Sequence, residues 1–141
     1  MIMHTLAIEI SQLFEFLKNG TSAFHVTAHS KKVLTEAGFT ELKLKEHWPL
    51  QRGGRYFCCP FDTTLYAFTI GRDWDLSRGI HIGGAHTDFP AIKVKPKPEI
   101  FTQGYMQLNT ELYGGPILST FFDRSLSLAG KVVTRGSSYD R

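Results

Sequence analysis

From Leu6 to Leu17 the apolar residues Leu6, Ile10, Leu13, Phe14 and Leu17 recur at three- or four-residue steps, with Glu9, Gln12, Glu15 and Lys18 between them. That period places the two sets on opposite sides of a helix, so the segment predicts a one-sided surface helix that stops at Gly20. Ser22 can cap a second helix, because its hydroxyl can accept one of the free N–H groups of the first turn. This helix is expected to run through Ala37, with Gly38 as its left-handed stop.

Past Trp48 and Pro49 the period changes from helical to strand-like. RYFCCP and TLYAFTIG are short aromatic and β-branched runs, broken by Gly53-Gly54 and by Phe61-Asp62-Thr63. A charged loop, GRDWDLSRG at 71 to 79, leads into the apolar run GIHI and then GGAHTDFP. AIKVKPKP and YMQLNTEL read as further strands, GGP as a turn, and LSLAGKVVTR as a strand broken at Gly130. Two helices followed by many strands predict an α/β or α+β layer, in which the later strands can form a second unit. No internal repeat or low-complexity segment interrupts the pattern.

Composition narrows the classes. A chain of 141 residues with 42% hydrophobic content is long and apolar enough to form a core. Its net charge of +3 falls well short of the concentrated positive face that phosphate binding requires, which argues against a nucleic-acid partner. MIMHTLAIEI lacks a basic region ahead of its apolar residues, and no uncharged run reaches the ~18 residues of a membrane span. A soluble, cytoplasmic protein with no membrane partner is expected. Cys58 and Cys59 are adjacent, which precludes relaxed disulfide geometry and places two sulfurs too close for the usual zinc spacing. Reduced, buried thiols in a strand are expected.

Candidate chemistry centres on His86 and Asp88. Side chains two apart in an extended segment project to one side, so both would point to one spot at the end of GIHIGG. A neutral imidazole is a good zinc ligand, and a neighbouring carboxylate can fix its tautomer. Gly83, Gly84 and Ala85 leave room for other groups to approach. The alternative is a pair that only hydrogen-bonds to backbone at a strand end. His25 and His29 have the spacing of an HExxH helix, but Val26 stands where the glutamate belongs, so surface or packing roles are expected. Lys93, Lys95 and Lys97 alternate with Val94 and prolines; a basic groove is one reading, and protection of a solvent-facing strand edge is the expected one. Asp123 and Arg124 in FFDR could form a substrate clamp, but an ion pair anchoring a tight bend is the expected reading. No GxSxG elbow or phosphate loop is present.

Together, LFEFLKNGTSAFHV, LTEAGFTEL, GAHTDFPAIKVKPKP and ELYGGPILSTFFDRSLSLAGKV resemble the N-terminal part of the M18 metallopeptidases, the aspartyl aminopeptidases and their relatives. The M42 and M20 dinuclear peptidases share the His-x-Asp logic but match YGG and FDR less well. The M18 resemblance implies an exopeptidase that removes N-terminal residues, acidic ones among them, from peptide substrates with two zinc ions. It makes His86 a metal ligand and Asp88 the active-site acid that supports it. It also places the general-base glutamate and the other ligands beyond the point matching Arg141, so the chain is expected to be a front portion, inactive alone. The implied fold class is α/β: residues 1–94 form the N-terminal part of a catalytic domain with helices on a mixed sheet. Residues 95–141 begin an inserted β domain through which family members form homo-oligomers. The chain departs from the family at Phe89, Pro116, Phe121 and Ser125, where Ser, Gly, Trp and Asp are usual. The competing reading is a non-catalytic truncated polypeptide that only associates through its β segment.

Overall fold

The computed structural model describes residues 2–135. They fall into two units, one made of the chain up to Asp88 together with the residues from Ala129 onward, the other of Phe89–Leu128.

The first unit opens with two helices, α1 (Ile2–Asn19) and α2 (Ala23–Glu36). The Ser22 hydroxyl caps α2 by accepting the His25 N–H at 3.5 Å, and it also meets His25 Nδ1 at 2.8 Å. At the other end, Phe39 N–H donates to the Leu34 carbonyl at 2.9 Å and Gly38 N–H to the Thr35 carbonyl at 3.0 Å. These are the paired bonds of a Schellman stop, formed at the predicted glycine. The orientation of α1 differs from the expectation. Phe16 packs edge-on against His29 of α2, ring centroids 5.3 Å apart, whereas Ile10, Leu13, Phe14 and Leu17 of the predicted stripe remain exposed.

A three-stranded mixed sheet follows, with β1 (Thr40–Glu41) parallel to β2 (Arg55–Phe61) and β2 antiparallel to β3 (Thr64–Thr69). Tyr56, Phe57 and Cys58 are buried in succession, so β2 is covered on both faces, as expected of a central strand. Leu42, Tyr56 and Cys58 form one cluster, flanked by Trp48, Phe68 and Ile70. By alternation Phe57 points to the other face, where it is 0% exposed. The register slips between Cys58 and Phe61, at Pro60, which has no N–H to give to the ladder. Both cysteines are free, and burial pushes both thiols up from their ordinary range, so they stay protonated and inert.

Gly54 is fixed by close approach. A Cβ there would collide with the hydroxyl oxygen of Tyr56, whose ring is buried and whose oxygen accepts the Gln51 N–H at 2.9 Å. Gly54→Ala is therefore expected to destabilise the first unit by about 1–3 kcal/mol through overpacking, read as a lower urea midpoint.

Two predicted strands do not form. Residues 79–90 carry no ladder, and Ile82 within GIHI is 89% exposed. Residues 126–135 likewise pair with no strand among the described residues, and Leu128, Val132 and Val133 are exposed. Apolar alternation gives strand propensity, but a strand needs a neighbour's N–H and C=O groups, and none is in place here.

The second unit is a hairpin of β4 (Ala91–Thr102) and β5 (Tyr105–Tyr113). Its two-residue turn, Gln103-Gly104, has φ of 48° and 83°, the left-handed pair that matches strand twist. The ladder is interrupted between Val94 and Glu99, where Pro96 and Pro98 remove two donors. Lys93 stands 3.9 Å over the Tyr113 ring, a cation–π contact. At the FFDR bend Asp123 is left-handed, and Arg124 donates to the Thr120 carbonyl at 3.5 Å. No helix of the described residues is long and apolar enough to cross a membrane.

Candidate metal centre

His86 and Asp88 lie in the unpaired segment after Gly83-Gly84, on either side of a bend at Thr87. Same-side residues of a flat strand have Cα atoms roughly 6.5–7 Å apart. The bend helps bring the two side chains together, and His86 Nδ1 meets Asp88 Oδ1 at 3.0 Å. An ionised carboxylate only accepts, so Nδ1 carries the proton and donates it. When the ring is neutral, Nε2 keeps its lone pair, on an imidazole whose side chain is 89% exposed, while the Asp88 side chain is 39% exposed. In that neutral form the ring is a nitrogen donor with fixed tautomer.

The middle residue of the triplet faces elsewhere. Thr87 Oγ1 donates to the Thr63 carbonyl at 2.8 Å in a part-buried contact. Thr63 and Asp62 form the two-residue turn between β2 and β3, and Asp62 pairs with Lys131. That lysine is the main reason the Asp62 carboxyl is held below the usual range. Sequence patterning shows neither contact, because the first joins residues 24 apart and the second residues 69 apart.

The open space expected around Gly83 and Gly84 is present, since a Cβ at either would meet nothing within 4 Å. Two of the other histidines have separate tasks, His25 at the cap of α2 and His29 against Phe16. Among the described residues no cluster of three or more His, Cys, Asp or Glu side chains is placed to hold a metal ion. His86 and Asp88 thus fit a zinc ion as one donor and its support, a partial coordination sphere.

A family model described as aminopeptidase I zinc metalloprotease (M18) matches residues 16–140. The chain belongs to the M18 family. Over 128 residues it is 45% identical to a probable M18 family aminopeptidase 2 of Clostridium acetobutylicum, covering 90% of this chain and 30% of that relative. Among solved structures, this M18 chain is similar to yeast aminopeptidase 1, with a TM-score of 0.69 and 28% identity over 82% of this chain and 27% of the other. The structure of the S. cerevisiae mApe1 dodecamer is similar with a TM-score of 0.71 at 28% identity, covering the same 82% and 27%. The mixed α/β fold expected of an M18 N-terminal portion is the one observed. The M18 chain spans about 30% of the length of the curated relative it matches.

Proposed function

We propose that this chain is the N-terminal portion of a zinc-dependent aminopeptidase that releases N-terminal amino acids, acidic ones among them, from peptides. The observation that carries the reading is the 3.0 Å contact of His86 Nδ1 with Asp88, which leaves Nε2 outward on an exposed ring in a chain of the M18 family. In this reading His86 donates Nε2 to one of two zinc ions, and Asp88 holds the imidazole proton on Nδ1 and keeps the ring oriented. Zinc, when bound, would supply Lewis acidity and a nucleophilic hydroxide at neutral pH. A catalytic zinc takes three protein donors, and His86 is one, so the chain alone is inactive.

Residues 1–94 are assigned to the front of the catalytic domain and 95–141 to the start of an inserted β domain. The start of a separate unit at Phe89 supports a boundary close to this position, while the residues from Ala129 onward group with the first unit. Homo-oligomer formation through the β segment and a cytoplasmic location belong to the same reading; the dodecamer of the S. cerevisiae relative supports the oligomer. A second reading is a non-catalytic polypeptide that only associates, through a hairpin on which the paired Phe101 and Met106 are both exposed.

A zinc titration followed on the imidazole resonances of all six histidines separates the two readings. The expected result is selective perturbation at His86, weak because one donor is offered, and abolished in Asp88→Ala or His86→Ala. Equal perturbation at His81 or His47, or none at His86, would overturn the metal role.

A further inference from the structure

The triplet 86–88 sits in a segment with no ladder, so no regular hydrogen-bond register fixes where His86 and Asp88 point. The side chain between them provides a fixed point instead. The Thr87 hydroxyl donates at 2.8 Å to the carbonyl of Thr63, and the contact is part-buried, shielded from competing water. Its acceptor lies in a two-residue turn closed by the Phe61–Thr64 pair of β2 and β3. The preceding residue of that turn, Asp62, pairs with Lys131, two residues past the point where the chain returns to the unit.

We propose that Thr87 is a positioning residue for His86 and Asp88, and that the Asp62–Lys131 pair extends the brace by holding the turn that carries Thr63. With Thr87 drawn into the turn, the chain bends there, and the side chains on either side are presented away from it within bonding distance of each other. The hydroxyl is the operative group, because the contact is a single O–H donation to a carbonyl. A β-branched residue without it keeps the shape and loses the brace. This inference rests on the reading of His86 as a zinc donor, and its test separates the two.

The test uses long-range proton–nitrogen correlation spectra of the His86 ring in the 141-residue chain, at a pH where the imidazole is neutral, before and during zinc addition. In the parent chain the Nδ1–H form should dominate. Thr87→Val should move the population toward the Nε2–H form and weaken zinc binding at His86 about tenfold, as loss of a group that orients a metal ligand does. Thr87→Ser, which restores the hydroxyl, should return both readouts to the parent values. A structural role for bulk alone would predict the reverse ranking, with valine like the parent. Lys131→Met, a change at an exposed side chain, should shift the tautomer in the same direction by a smaller amount. It also serves if Thr87→Val does not fold. An unchanged tautomer in folded Thr87→Val, or in Lys131→Met where the valine variant is unfolded, would overturn the brace. If the tautomer follows Thr87 but zinc binds His86 in no variant, the brace stands and the zinc reading falls.

Discussion

The purified 141-residue chain should release no free amino acid from peptides above the uncatalysed background, whether or not zinc is supplied. The reason is coordination. A catalytic zinc is held by three protein donors that leave one position open, and here His86 offers Nε2 while Asp88 is already committed to His86 Nδ1. The described residues hold no cluster of three candidate ligands that could complete the set. Enzymes of this kind accelerate hydrolysis by many orders of magnitude, so the contrast between an assembled site and a single donor is large and simple to measure. The check is a ninhydrin or chromatographic assay of released amino acids with acidic and neutral N-terminal peptides, beside an intact M18 aminopeptidase. Zinc-stimulated release by this chain, lost in His86→Ala, would be the contrary result.

Phe57→Ala should be the most damaging single change to the first unit. Phe57 is 0% exposed on the central strand, its N- and C-terminal neighbours are buried on the other face, and its carbonyl accepts the Leu42 N–H at 2.7 Å. Truncation to alanine leaves a void that the flanking strands cannot close without breaking pairing at Glu41 and Ala67. Phe→Ala in a core costs about 3–5 kcal/mol, against about 5–15 kcal/mol for the whole stability of an ordinary domain. Urea unfolding followed by Trp48 fluorescence should therefore show the transition moved to far lower urea or absent. Val133→Ala, at an exposed position, is the control and should change stability by less than about 0.5 kcal/mol.

What the sequence makes legible follows from how local each signal is. Ser22 and Gly38 mark the ends of α2 because caps are satisfied within a few residues of the same chain segment. The strands of β2, β3, β4 and β5 are likewise visible, since each pairs with a neighbour close in sequence. The approach of His86 to Asp88 can be anticipated from two-residue spacing alone. GIHI and LSLAGKVVTR are misjudged because pattern reports a residue's preference, whereas pairing depends on a partner strand that the pattern does not name. The orientation of α1 is missed for a related reason. Five apolar residues define a stripe, but the neighbour that α1 meets is α2, and the contact is made by Phe16 outside that stripe. Thr87 carries no local signal, as its acceptor belongs to a turn formed by another part of the chain.

The Lys131–Asp62 pair has a bearing on how this sequence can vary. The chain leaves the first unit after Asp88 and rejoins it at Ala129, so Phe89–Leu128 is an excursion whose two ends belong to one body. Lys131, just past the point of return, pairs with the β2–β3 turn, and Thr87, just before the point of departure, bonds to the same turn. Both gateposts of the excursion thus stand on Asp62 and Thr63. Closing a flexible loop costs only ~0.6 kcal/mol more for each doubling of its length. On that scaling, a change in the length of the intervening segment costs little in closure so long as both gateposts keep their bonds to Asp62 and Thr63.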